Sequence, residues 1–123
     1  MILDTNALSD LALGILNKTA LGTERHCLPA VVLGEYRFGL LGSRERERLQ
    51  LLLDRATHIF IVLDVTKETA MHYADVRMEL KKKGKPIPEN DLWIAALARQ
   101  HQLEILSKDR HFDVVPGLAR RSW

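Results

Sequence analysis

Met1-Ile2-Leu3-Asp4-Thr5-Asn6 opens the chain with two aliphatic residues, then an acid, then two small polar residues. Ile2 and Leu3 read as the end of a short buried strand, Asp4 as the residue at which that strand leaves the sheet, and Thr5 and Asn6 as the start of a turn. Open α/β sheets build their sites at such edges. Three more acids stand beside apolar segments: Glu35 in Leu33-Gly34-Glu35-Tyr36, Asp91 in Asn90-Asp91-Leu92-Trp93-Ile94, and Asp109 in Leu106-Ser107-Lys108-Asp109. Together they predict one acidic pocket.

The rest of the chain alternates between two periodicities. Ala7 to Leu16 carries Leu8, Leu11, Ala12 and Ile15 at helical spacing. His26-Cys27-Leu28 fits a short strand, and Pro29 is suited to open a helix from Ala30 to Leu41 that contains Glu35. Arg44 to Leu53 forms another helical run, followed by the β-rich Ile59-Phe60-Ile61-Val62-Leu63, read as a buried strand. Thr66 is the expected N-cap of a helix reaching Lys83, with Ala70, Tyr73, Ala74 and Leu80 toward the core and Gly84 at its end. Pro86 and Pro88 force a loop. A helix with little polar surface then starts at Glu89 or Asn90, with Asp91 in its first turn, and Leu103 to Leu106 completes a β-α-α-α-β-α-α-β alternation. Strands separated by helices mean an α/β fold with a mostly parallel sheet.

With 123 residues, 46% of them hydrophobic, and no Pro/Gly/Ser-rich linker, the sequence predicts one domain over 1–123. A single cysteine, Cys27, cannot form an internal disulfide, and no long apolar run predicts a membrane span, so a reducing cytoplasm is the expected compartment. The net charge of +2 neither requires nor excludes nucleic acid, which leaves the matter to local patches. Lys81, Lys82, Lys83 and Lys85 form the clearest basic cluster, just before the loop that delivers Asp91; they suit a phosphate backbone, or equally a solvated helix end. Arg37 is a candidate RNA contact two residues after Glu35. Arg44, Arg46 and Arg48 alternate with Glu45 and Glu47 and describe an exposed, internally paired face.

Clustered carboxylates raise one another's proton affinity, so several ionised acids in one pocket call for a cation. Oxygen donors without paired Cys or His favour Mg²⁺ or Mn²⁺ over Zn²⁺. Taken singly, Asp4 and Asp91 also read as helix caps, Glu35 as a solvated helix residue and Asp109 as a turn aspartate. It is their order and context that favours a metal site.

That ordered set resembles the PIN-domain family, specifically its small VapC-type toxin ribonucleases. The likeness rests on Ile2-Leu3-Asp4-Thr5-Asn6, on Glu35 within Val32-Leu33-Gly34-Glu35-Tyr36-Arg37-Phe38-Gly39-Leu40, on Asn90-Asp91-Leu92-Trp93-Ile94-Ala95-Ala96, and on Leu106-Ser107-Lys108-Asp109-Arg110-His111-Phe112. The resemblance implies that Asp4, Glu35, Asp91 and Asp109 hold Mg²⁺ or Mn²⁺, with Thr5, Asn6 and Ser107 in support. It also implies RNA hydrolysis by activated water leaving 5′-phosphate and 3′-hydroxyl ends, homodimerisation, and inhibition by a small antitoxin. Ser107 stands where many members have Thr, and His111 where some have another acid.

Two other phosphate chemistries fit less well. A phosphoacceptor receiver with Asp64 as acceptor would carry adjacent acids after its first strand and would not place Ser107 next to Lys108. A haloacid-dehalogenase-type phosphatase would have Asp at position 6, where Asn6 stands. A non-catalytic RNA-binding protein has no need of four acids.

Overall fold

A computed structural model describes all residues 1–123. Five short parallel strands, β1 (Ile2–Leu3), β2 (Cys27–Pro29), β3 (Ile61–Leu63), β4 (Ile105–Leu106) and β5 (Arg120–Arg121), form one sheet in the order β3-β2-β1-β4-β5. The helices are α1 (Thr5–Ala12), α2 (Ala30–Leu41), α3 (Arg46–Ile59), α4 (Lys67–Lys83) and α5 (Glu89–His101). The expected parallel α/β architecture is therefore observed. Ile2, Leu3, Ile105 and Leu106 are essentially inaccessible, as strands covered on both faces require.

The strand order decides where a site can form. From β1 the chain moves outward to β2 and β3, then returns across the sheet to place β4 on the other side of β1. The gap between the carboxyl ends of β1 and β4 is thus the topological switch point, the position at which open α/β sheets build their sites. Asp4 follows β1 and Ser107 follows β4, so both emerge there.

Several local expectations need correction. Thr5 and Asn6 do not start a turn; they are the first residues of α1, because the Asp4 side chain accepts the Ala7 N–H at 2.8 Å and caps the helix directly after the strand. That helix ends at Ala12 and not at Leu16, since Gly14 takes a positive φ of 76° and the Ile15 and Leu16 N–H groups both turn back to the Asp10 carbonyl. Helix α3 begins at Arg46 and extends to Ile59, beyond the expected Leu53, taking the first residue of the expected strand. The remaining strand, β3, lies at the sheet edge, so Val62 is exposed rather than buried.

On α4, Thr66 and Thr69 form a capping box and Gly84 closes the helix in the left-handed region, as predicted. Its buried face is Thr69, Val76 and Leu80, whereas Ala70 and Ala74 face solvent. The buried Thr69 hydroxyl donates to Gln100 of α5, so a polar residue takes a place on the core-facing side of the helix. Strand β5 had no signal in hydropathy: its two arginines pair with β4 through the backbone while their side chains reach Asp113 and Glu104.

Candidate active site

Asp4 is the deepest of the acids, 5% exposed, and both of its oxygens are engaged. Oδ1 accepts the Ala7 N–H and Oδ2 accepts the hydroxyl of Ser107, which is fully buried. Ser107 Oγ in turn accepts the Asp109 N–H at 2.9 Å. One hydroxyl therefore ties the end of β1 to the turn after β4, and that turn carries the next acid. Burial pushes the Asp4 carboxyl above its ordinary range, the Ser107 and Ala7 hydrogen bonds oppose the shift, and the charges of Asp109 and Glu35 add to it.

Asp91 lies in the first turn of α5, whose Leu92 and Ile94 to Ala98 are buried and fix the helix against the core. Its carboxyl is also raised, chiefly by burial, against a lowering hydrogen bond from His111 and with Asp109 and Glu35 again pushing it up. The two shifts share the same charged neighbours. The charges of Glu35 and Asp109 reach both Asp4 and Asp91, while the ligand atoms that lie within 4.8 Å of one another are those of Asp91, Asp109 and His111.

The donors fit a cation. Glu35 Oε1 is buried with no hydrogen-bond partner, and so is Thr5 Oγ1. An unpaired buried carboxylate oxygen costs on the order of 1–3 kcal/mol or more, a penalty that a bound cation removes. Asp91, Asp109 and His111 each offer a ligand atom, all within 4.8 Å of one another. His111 Nδ1 lies 3.2 Å from Asp91 Oδ2 and 2.9 Å from Asp109 Oδ1. Hydropathy and spacing gave no reason to place His111 in the pocket; its position follows from the 3-10 turn over Arg110–Val114, which Asp109 caps.

The supporting candidates separate. Ser107 is central and Thr5 is turned inward, whereas Asn6 is exposed on α1. Arg37 sits two residues beyond Glu35, about 200° around the helix, and its guanidinium donates to Gln50 of α3 at 3.0 Å. Lys81, Lys82, Lys83 and Lys85 are exposed and none is paired with an acid; the first three end α4 and Lys85 lies in the short loop that leads into α5.

A second brace escaped the sequence reading. Lys108 Nζ lies 3.2 Å from Asp10 Oδ2 and 4.7 Å from the Trp123 ring centroid, while Trp123 Nε1 donates to the same Asp10 oxygen at 3.0 Å. This contact fastens the Ser107-Lys108-Asp109 turn to α1. Residues so distant in sequence leave no periodic signal.

Comparison with known proteins agrees with this geometry. The family model described as PIN domain matches residues 1–118. Ribonuclease VapC2 of Haemophilus influenzae is 30% identical over 99% of this chain and 96% of its own. Among solved structures, DNA-bound VapBC from Salmonella typhimurium superposes with a TM-score of 0.89 at 28% identity, covering 99% of this chain and 96% of that one. A member of the VapBC family of toxin-antitoxin systems from Mycobacterium tuberculosis gives a TM-score of 0.77 at 28% identity, covering 98% and 94%.

Proposed function

Because the chain belongs to the PIN domain family, we infer that its acids at the switch point form the active site of a metal-dependent endoribonuclease, the toxin of a type II toxin-antitoxin pair. The observation that carries this reading is Asp4, buried at the switch point and bonded by Ser107, whose hydroxyl also holds the Asp109 N–H, with Asp109 in turn grouped with Asp91 and His111. The PIN-domain match over residues 1–118 supports reading 1–123 as one PIN-like domain.

Asp4, Glu35, Asp91 and Asp109 would hold Mg²⁺ or Mn²⁺, and such an ion supplies charge neutralisation at phosphate oxygens and water acidified for attack at phosphorus. The protein's own contribution is preorganisation. Ser107 and the Ala7 N–H fix the Asp4 carboxylate, the α5 N-terminus offsets part of the burial cost of ionising Asp91, and the Asp10–Lys108–Trp123 brace holds the Asp109 turn. The unpaired lysines beside α5 suit the flanking RNA backbone.

An antitoxin partner follows from the likeness to VapBC assemblies. Phe38, Leu41, Leu51, Met71 and Met78 remain exposed and supply apolar area for a partner protein or a second copy of the chain. No helix is long and apolar enough to cross a membrane. The deciding experiment is cleavage mapping on total cellular RNA, with and without Mg²⁺ or Mn²⁺, comparing the parent with Asp4→Asn. Full cleavage by highly purified Asp4→Asn would remove the assignment; toxicity on expression, relieved by a small co-expressed partner, tests the toxin role separately.

A further inference from the structure

We propose that His111 is itself a metal ligand in this chain, and that its imidazole biases the pocket toward Mn²⁺ over Mg²⁺; the inference rests on the metal-dependent reading above. A single ring nitrogen, Nδ1, faces Asp91 Oδ2 at 3.2 Å and Asp109 Oδ1 at 2.9 Å. A cation shared by those two carboxylates therefore lies within reach of the nitrogen. The ring is well placed for this. The His111 backbone N–H donates to Asp109 Oδ1 at 2.9 Å, and the adjacent Phe112 is fully buried, so the segment carrying the imidazole is pinned at both ends.

The alternative is a plain ion pair in which imidazolium neutralises the two acids. A cation held between the two carboxylates would meet the same nitrogen at the same position, with no movement of the ring. Mg²⁺ holds its waters and oxygen donors and gains little from nitrogen, whereas imidazole suits first-row transition ions. With oxygens from Asp91 and Asp109 and nitrogen from His111, the donor set is mixed. Mn²⁺ accepts both types. An acid at position 111 would keep the set all-oxygen and remove the bias.

The test uses Mn²⁺ alone as probe on the full chain, by electron paramagnetic resonance with electron spin-echo detection of nitrogen coupling. Bound Mn²⁺ should show ¹⁴N modulation in the parent, converted to the ¹⁵N pattern when only histidine is ¹⁵N-labelled, and absent in His111→Asn. Competition with Mg²⁺ should show the Mn²⁺ preference falling by about tenfold or more in His111→Asn and His111→Asp, in the range seen when support of a metal site is lost. Bound Mn²⁺ without histidine modulation, together with an unchanged preference in His111→Asn, overturns the ligand role and leaves the acidic site standing. No Mn²⁺ bound by the parent overturns both. The labelling arm uses unaltered protein, so it decides the question even if a variant folds poorly.

Discussion

The Ser107 hydroxyl donates to Asp4 Oδ2 while accepting the Asp109 N–H, so one buried side chain sets the relative position of two acids 105 positions apart in sequence. Ser107→Ala leaves a buried carboxylate oxygen without its donor, at a cost of about 1–3 kcal/mol. Losing an outer partner of a metal ligand typically lowers affinity or activity by roughly 10–100-fold. We expect a loss of that size in RNA cleavage and metal affinity for Ser107→Ala, and near-parental values for Ser107→Thr, which keeps the hydroxyl. Isothermal titration with Mn²⁺ and initial cleavage rates measure both.

The four lysines before α5 should act through charge alone, because none is paired in the fold. Replacing Lys81, Lys82, Lys83 and Lys85 by Gln should weaken RNA binding and flatten its salt dependence by roughly 0.7 in log–log slope for each lost phosphate contact on single-stranded RNA. Thermal stability should change little. A variant that keeps both affinity and slope would mark the cluster as a solvated helix end.

Phe112 offers a test of how packing reaches the pocket. It is fully buried and stands next to His111, three residues after Asp109. Phe112→Ala should destabilise the fold by about 3–5 kcal/mol and weaken metal binding as well, since the turn that carries Asp109 and His111 loses its anchor. Phe112→Leu should retain most of both properties. Urea melts give the first quantity and metal titration the second.

What the sequence disclosed and what it withheld divide along a physical line. Asp4, Glu35, Asp91 and Asp109 were legible because each interrupts or adjoins an apolar segment, and local pattern reports where such segments start and stop. Strand β5 was not, since Arg120 and Arg121 enter the sheet through backbone pairing with β4 and long-range ion pairs. The core face of α4 is not legible from hydropathy for a similar reason: hydropathy favours Ala70 and Ala74, whereas Thr69, which donates to Gln100 of α5, is the buried residue. The Asp10–Lys108–Trp123 brace depends on contacts that only the assembled fold creates, whereas His111 is signalled only by the family resemblance, at a position where some members have another acid. Helix α1 was mispositioned because Asp4 serves as cap and candidate ligand at once.

The acids themselves give the sharpest test, because neutralising a metal ligand and neutralising a structural carboxylate act in opposite directions on the apo protein. Burial holds the Asp4 and Asp91 carboxyls above their ordinary range, against the hydrogen bonds from Ser107, Ala7 and His111. The unfolded chain therefore ionises these groups first. As pH rises from the ordinary carboxylate value through the raised native values, the native state binds more protons than the unfolded one, and apo stability falls; below that window the two states are protonated alike and the penalty is absent. Asp4→Asn should hold or raise the apo melting temperature and flatten this pH dependence, with the Asn oxygen still able to cap Ala7. Added metal reverses the order: at about a hundred times its Kd a native-state ligand stabilises by roughly 2.7 kcal/mol, which the parent should gain and Asp4→Asn, Asp91→Asn and Asp109→Asn should largely lose. Each of these three should abolish cleavage, and Glu35→Gln should impair it strongly. Glu104→Gln, paired with Arg121 at the far end of β4, serves as the control. An Asp4→Asn protein that gains as much stability from Mn²⁺ as the parent, while losing apo stability, would return Asp4 to the role of a helix cap.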